Sequence, residues 1–172
     1  MIEVINEDIF NYDPQEYDTN NPLLLVDPIN CNLNVMGKGL ALEFKKRFPK
    51  AFKKSSLKDI EIGIGNINMI NSDDDDDVHI VLFPTKIHWS NPSEYWYISA
   101  SLTSLRAWIW DWVCDKEKYY DEDEMHFTIR MPKIGCGLGG LDFKKVLDII
   151  KVIFDDDFCE ICHVTILVCD NG

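Results

Sequence analysis

Two glycine-containing segments, each directly after an apolar run, carry the residue types that hold phosphate groups. The first spans residues 27–41 and contains Gly37 and Gly39, and the second, residues 131–143, has four glycines within six residues. Glycine lets the backbone approach a ligand closely, and backbone N–H groups at the start of a helix attract anions. A Gly-x-Gly pair is often only a tight turn, so the first segment leaves a structural role open, whereas the second favours a ligand.

Lys86 is a candidate for chemistry on a bound substrate because of its place in the sequence. It ends an apolar run that includes Phe83 and Thr85, so its amine would lie at the mouth of a crevice. A lysine amine can attack an electron-poor carbon, and a lysine cation can stabilise developing negative charge. The residues leave both roles open, together with a lysine that only reaches solvent. His88 and Trp89 follow, and they present the same choice between a substrate contact and a structural role.

The cysteines favour neither a metal site nor thiol chemistry. Cys31 and Cys136 lie beside predicted strands, where burial keeps a thiol protonated. Cys159, Cys162 and His163 would need a fourth ligand to bind zinc, and haem attachment at such a motif would require export. We therefore predict reduced thiols, no metal and no cofactor.

Apolar runs and helical spacing alternate along the chain, which indicates an α/β fold. The predicted strands are residues 2–5, 23–26, 79–83, 127–131 and 164–168, with a further short strand within 62–70. Apolar residues recur at helical spacing between Leu40 and Phe48, between Ile98 and Trp112, and between Val146 and Phe154. This order predicts one domain, residues 1–172, built as a three-layer α/β/α sandwich. Both glycine segments would then share one crevice at the carboxyl edge of the sheet.

Charge is distributed unevenly over the chain. The formal net charge is −13, which disfavours general binding to polyanions, yet residues 38–58 hold eight of the seventeen Lys and Arg residues. This basic region is either a solvated helix face or a surface that meets a phosphate backbone, such as that of single-stranded DNA. The acidic run at residues 73–77 is expected to form a solvated hairpin or loop, and so are the runs at residues 119–124 and 155–157. The sequence shows neither a signal peptide nor a membrane span, and we expect a cytoplasmic monomer.

Three motifs, in order along the chain, resemble those of macro domains. They are Val35-Met36-Gly37-Lys38-Gly39-Leu40-Ala41, then Phe83-Pro84-Thr85-Lys86 with His88-Trp89, then Pro132-Lys133-Ile134-Gly135-Cys136-Gly137-Leu138-Gly139-Gly140-Leu141-Asp142. The sequence is most similar to the branch that contains DNA ADP-ribosyl glycohydrolase antitoxins and the terminal ADP-ribose protein glycohydrolase. The resemblance implies a mixed central sheet and metal-independent release of ADP-ribose from modified DNA, through thymidine, or from protein.

The resemblance also implies a role for individual residues. Lys86 matches the catalytic lysine of the antitoxin-like branch, Asp8 an acid that accepts from the adenine amino group, and Asn30 an asparagine that faces the distal ribose. The other ligand contacts that it implies are Ile9, Val35, Met36, Gly37, Lys38, Gly39, Leu40, Thr85, Gly135, Cys136, Gly137, Leu138, Gly139, Gly140 and Leu141.

Two departures from the family pattern bear on the substrate. Protein-directed relatives have an aspartate directly after the Gly-Cys-Gly-Leu segment, where this chain has Gly139, as the DNA-directed antitoxins do. The first loop is also one residue longer than usual before Val35, with Asn34 near the place of a glycine. The longer loop keeps open a reader that holds ADP-ribose without chemistry, and the resemblance keeps open a phosphatase acting on ADP-ribose 1″-phosphate.

Overall fold

The computed structural model describes residues 1–33, 36–53, 57, 60–117 and 125–170. Its strands are β1 (Ile2–Ile5), β2 (Leu23–Asn30), β3 (Asn68–Asn71), β4 (Val78–Lys86), β5 (Phe127–Pro132) and β6 (Val164–Cys169). Its α-helices are α1 (Gly39–Arg47), α2 (Tyr95–Glu117), α3 (Phe143–Ile153) and α4 (Asp156–Ile161), and a 3-10 helix covers Pro14–Glu16. No helix among these residues is long and apolar enough to cross a membrane.

The six strands form one mixed sheet in the order β1-β6-β5-β2-β4-β3. Strands β1, β6, β5, β2 and β4 are mutually parallel, and β3 runs antiparallel to β4 at the edge. The carboxyl ends of β2, β4 and β5 therefore meet at one edge of the sheet, and the segments that follow them lie side by side.

Apolar side chains cover both faces of the sheet. Along β2, Leu24 and Val26 belong to a core cluster that includes residues of α2, α3 and α4. Leu23 and Leu25 belong to a second cluster with Phe44 of α1. Because alternate residues of a strand face opposite sides, these two clusters define two helical layers around one sheet. The predicted α/β/α sandwich with a mixed sheet is confirmed.

The predicted strands are all present, and two of them extend beyond their apolar runs. Strand β2 continues to Asn30 and β4 to Lys86, and these two residues are register partners. The extension brings polar side chains into the sheet edge that borders the crevice. In the region 62–70 only the last residues, from Asn68, join a strand.

The acidic run at residues 73–77 forms the turn of the β3–β4 hairpin, as predicted, whereas the run at residues 155–157 begins a helix and is not a loop. Asp155 caps α4 by accepting a hydrogen bond from the Phe158 N–H at 2.8 Å. In the hairpin turn, the Asp73 carboxylate accepts from the backbone N–H groups of Lys50 and Ala51. These bonds connect the turn to the segment after α1. The run at 119–124 lies outside the described residues.

Asp27 of β2 is a fully buried acid, and neither of its carboxylate oxygens has a hydrogen-bond partner among the described residues. Desolvation raises its pKa well above the ordinary value, because the interior disfavours the charged form. The folded pKa therefore exceeds the unfolded pKa. The contribution of Asp27 to the free energy of unfolding is most favourable below the unfolded pKa, about 3.9. That contribution is lost as the pH rises towards the raised folded pKa.

Asp27→Asn should therefore stabilise the protein more at pH 8 than at pH 5. A gain of 1 kcal/mol would raise the melting temperature by about 2–4 °C in a chain of this size, and thermal unfolding at both pH values measures the difference. Asp148→Asn, on the exposed side of α3, is the matched control and should show no such trend. The same shift at both pH values for Asp27→Asn would contradict a buried acid with a raised pKa.

Candidate active site

A crevice of about 730 Å³ lies at the carboxyl edge of β2, β4 and β5. Its lining includes residues 37–41 of the first glycine segment and residues 135–139 of the second, together with Asn30, Thr85 and Lys86. The prediction that the two segments share one crevice is confirmed. A volume of this size is typical of sites for small molecules and cofactors.

The ends of β2 and β4 place Asn30 beside Lys86. The register shifts between Ile29 and Asn30, and the Cys31 N–H donates to the Lys86 carbonyl oxygen at 2.9 Å. The Asn30 side-chain oxygen accepts from the Asn32 N–H at 2.8 Å, which turns the chain away from the sheet. The irregular pairing thus presents an amide and an amine at one wall of the crevice.

Lys86 spans the crevice from β4 to the second glycine segment. Its Nζ donates to the Leu138 carbonyl oxygen at 2.6 Å. Partial burial lowers the pKa of the Lys86 amine, because desolvation disfavours the ammonium form. A larger fraction of the Lys86 amine is therefore neutral, which is the nucleophilic form, than in a fully exposed lysine at the same pH.

The first glycine segment offers backbone N–H groups at the start of α1. Lys38 is the N-cap residue of that helix, and it makes no side-chain capping bond. Gly39, which begins the helix, has φ +62, a conformation that glycine adopts at little cost. An uncapped helix start leaves donors for an anion. Val35 lies outside the described residues.

The second glycine segment is a tight loop held by its own backbone. The Leu141 N–H donates to the Gly135 carbonyl oxygen at 3.0 Å, and the Ser93 N–H donates to the Gly139 carbonyl oxygen at 3.0 Å. No side chain fits at Gly139, because a Cβ there would collide with the Gly135 carbonyl oxygen and with Ser93 Oγ. Close packing of backbone on backbone thus explains the glycine at this position.

The predicted adenine-binding acid lies on a segment that a buried arginine positions. Arg130 of β5, 4% exposed, donates to the carbonyl oxygens of Ile9 and Asp8 and to the Glu7 carboxylate at 2.9–3.1 Å. The Asp8 carboxylate accepts from the Phe10 N–H at 2.8 Å. The sequence analysis missed Arg130, although an arginine inside an apolar strand is a recognisable signal, since a buried guanidinium needs several acceptors.

Arg130→Met should destabilise the fold, because it leaves the buried Ile9 carbonyl group, the Asp8 carbonyl group and the Glu7 carboxylate without their donor. The expected loss is about 2 kcal/mol, measured by denaturant unfolding. Arg106→Met is the matched control: Arg106 pairs with Asp155 at 3.5 Å, and both side chains are more than 40% exposed. Since exposed pairs contribute about 1 kcal/mol or less, an equal loss in the two variants would contradict the role given to Arg130.

Several predicted ligand contacts lie outside the crevice lining. Ile9 and Met36 are buried in the core cluster on the α1 side of the sheet, so their side chains belong to the core and not to the wall of the crevice. Asp8, Gly140 and Leu141 also lie beyond the lining. Their contact with a ligand stays a prediction.

The lining also includes residues that the sequence analysis did not assign to the ligand. Ser93 lines the crevice, and so do Lys133 and Asp170, which form an ion pair at 2.8 Å. Lys133 follows β5 and Asp170 follows β6. Their positions at the ends of predicted strands could have identified them as residues of the crevice. Cys136 also lines the crevice, and burial raises the pKa of its thiol to about 11, in keeping with an unreactive cysteine.

The basic region, residues 38–58, is partly neutralised within the fold. Lys46 pairs with Glu43 at 3.2 Å, and Arg47 pairs with Asp74 at 3.3 Å. Lys38 is exposed and lines the crevice. Lys54 and Lys58 lie outside the described residues. Lys38 is thus the described basic residue of this region that lines the crevice, and contact of the rest of the region with DNA stays a prediction.

Known proteins resemble this chain in sequence. A DNA ADP-ribosyl glycohydrolase of Mycobacterium tuberculosis is 36% identical over 126 residues, which cover 71% of this chain and 32% of the relative. The protein of the same name from Thermus aquaticus is 33% identical, over 71% of this chain and 31% of the relative. The chain thus spans about a third of the length of the curated relatives that it matches.

Solved structures resemble the fold over its whole length. The macrodomain of Mycobacterium tuberculosis DarG superimposes with a TM-score of 0.73 and 30% identity, covering 100% of this chain and 99% of that one. Thermosipho africanus DarTG in complex with ADP-ribose has a TM-score of 0.64 and 26% identity, covering 97% of this chain and 41% of that one. The Macro domain family model matches residues 26–150, and with these likenesses it shows that the chain belongs to the macro domain family.

Proposed function

We propose that the chain binds ADP-ribose in the crevice and hydrolyses the bond between ADP-ribose and a thymidine of modified DNA. The position of Lys86 carries this proposal, because its amine lies between both glycine segments and bonds to Leu138 at 2.6 Å. Relatives named DNA ADP-ribosyl glycohydrolase, and a similar structure in complex with ADP-ribose, support it.

The charges of the crevice suit a diphosphate. Among the described lining residues, Lys38, Lys86 and Lys133 are basic, and Asp170 is the one acid. Asp170 is already paired with Lys133, so the crevice is positive in a chain whose net charge is −13. A diphosphate between the two glycine segments would accept from backbone N–H groups and from the start of α1.

Lys86 can act on the anomeric carbon of the distal ribose in two ways. As a neutral amine it would attack that carbon, the bond to the thymine nitrogen would break with its electron pair on the base, and water would then release ADP-ribose from the lysine. As a cation it would stabilise negative charge on the departing base while water attacks. The lowered pKa of Lys86 favours the first route.

The second glycine segment favours DNA over an ester on protein as the substrate. In the protein-directed relatives that the sequence resembles, an aspartate occupies the place of Gly139. Here the Gly135 carbonyl oxygen and Ser93 Oγ leave no space for a side chain. The chain therefore has no carboxylate at that position to act on a glutamate-linked ester.

A panel of three substrates tests this function. ADP-ribose release should be fastest from a thymidine-modified oligonucleotide and at least about tenfold slower from a glutamate-modified peptide, with no phosphate freed from ADP-ribose 1″-phosphate. Binding of ADP-ribose without release from either modified substrate would favour the reader, and phosphate release would favour the phosphatase. Monomeric state, cytoplasmic location and a single domain over residues 1–172 remain predictions from the sequence.

A further inference from the structure

The mouth of the crevice has an apolar rim made of Trp89 and Leu138. Both residues line the crevice, and they are 57% and 77% exposed. The rim lies beside the Lys86 amine, because the Leu138 carbonyl oxygen accepts the hydrogen bond of that amine. A substrate whose modified group lies at Lys86 therefore has these two side chains close to it.

The backbone around Trp89 is fixed although its ring is exposed. His88 Nδ1 shares a hydrogen bond of 2.7 Å with Ser90 Oγ, and the Asn91 N–H donates to the His88 carbonyl oxygen at 3.1 Å. Two residues further on, the Ser93 N–H bonds to Gly139. The turn therefore holds Trp89 beside the crevice, where its ring lies 5.5 Å from the His88 ring and more than half of the residue stays exposed.

Charge and shape at this rim suit one kind of occupant. The crevice is positive, through Lys38 and Lys86, in a strongly acidic chain, so it attracts a polyanion locally while the rest of the surface repels it. A large exposed indole binds a flat aromatic group by stacking, and every nucleobase offers such a face. A single strand of DNA brings both phosphates and bases.

We propose that Trp89 stacks on the nucleobase adjacent to the ADP-ribosylated base, so that the protein recognises a modified single strand and not an isolated modified nucleoside. This rests on the proposed function, since it assumes a DNA-linked substrate. Trp89 is then a specificity-determining residue outside the chemistry. It adds affinity for the oligonucleotide and none for free ADP-ribose.

Binding measured in the Lys86→Ala background tests this proposal without consuming the substrate. The probes are free ADP-ribose, a single-stranded oligonucleotide with one ADP-ribosylated thymidine, and an ADP-ribosylated peptide. Trp89→Ala should weaken binding of the oligonucleotide about tenfold or more and leave the other two within about twofold. Trp89→Phe should retain most of the affinity, since it keeps a ring for stacking.

Trp110→Ala is the matched control, because Trp110 is 47% exposed on α2 and lies outside the crevice lining. It should change none of the three affinities. Equal weakening of all three probes by Trp89→Ala would overturn the proposal, and so would an effect confined to the peptide or no effect at all. Failure of the proposed function can be distinguished from failure of this proposal, because in that case the wild type would release no ADP-ribose from the modified oligonucleotide in the substrate panel.

A neighbouring base can also be removed from the DNA. Two oligonucleotides, abasic on the 5′ or the 3′ side of the modified thymidine, should show which neighbour Trp89 contacts. One of the two abasic oligonucleotides should bind to the protein with Trp89 intact as weakly as the complete oligonucleotide binds to Trp89→Ala. That abasic oligonucleotide should bind to Trp89→Ala with no further loss of affinity. Additive losses in both oligonucleotides would contradict stacking.

Discussion

Lys86→Ala should slow ADP-ribose release from thymidine-modified DNA by about 10²–10⁴-fold and change the affinity for free ADP-ribose by less than about threefold. The Lys86 amine lies at the mouth of the crevice and bonds to a loop carbonyl, whereas the expected diphosphate contacts come from backbone N–H groups of the glycine segments. Single-turnover kinetics and calorimetric titration with ADP-ribose measure the two effects. Loss of binding in parallel with turnover would mean that Lys86 holds the ligand instead.

Lys86→Arg separates the two chemical roles, because a guanidinium keeps its charge and does not lose a proton. If the neutral amine attacks, this variant should be as slow as Lys86→Ala. The wild-type rate should then rise with pH up to the lysine pKa, which burial places below its ordinary value. A variant that keeps a large part of the rate, with a wild-type rate that does not rise with pH, would favour the cation.

Gly139→Ala should weaken ADP-ribose binding by about tenfold or more and destabilise the fold by about 1–3 kcal/mol. The new Cβ would collide with the Gly135 carbonyl oxygen and Ser93 Oγ, so the second glycine segment must move. Leu138 precedes Gly139, and its displacement would also break the contact with Lys86. Titration with ADP-ribose and thermal unfolding measure the two losses.

Gly63→Ala is the control for the glycine substitution. A Cβ at Gly63 meets no atom within 4 Å, its φ is not positive, and it lies outside the crevice lining. This variant should retain binding and unfold within about 1 kcal/mol of the wild type. Unchanged affinity in Gly139→Ala would contradict the close packing at that position.

The sheet and the place of the crevice could be predicted because they depend on local patterns. Buried parallel strands are continuous apolar runs, and the glycine segments follow two of them. The extension of β2 to Asn30 and of β4 to Lys86 was not predicted, since it depends on pairing between strands distant in sequence. The hydrogen bonds that Asp73 accepts from the segment after α1 also join residues that are distant in sequence.

The backbone segments that form the site could be predicted from the sequence, whereas the directions of individual side chains could be predicted less well. The glycine segments, Lys86 and Asn30 line the crevice as expected. Ile9 and Met36 point into the core instead, because side-chain direction in a loop follows from tertiary packing and has no period in the sequence. Ser93 comes from a segment that only the folded chain brings to the crevice, whereas Asp170 follows a predicted strand and could have been included.

Chromatography of an oligonucleotide with one ADP-ribosylated thymidine, incubated with equal concentrations of wild type and Lys86→Ala, tests the central claim most directly. If this claim holds, the wild type yields free ADP-ribose and unmodified oligonucleotide, and the variant, equally folded and still binding ADP-ribose, yields neither. A wild type that binds ADP-ribose and leaves the modified oligonucleotide intact would contradict it, as would a variant that releases ADP-ribose at the wild-type rate.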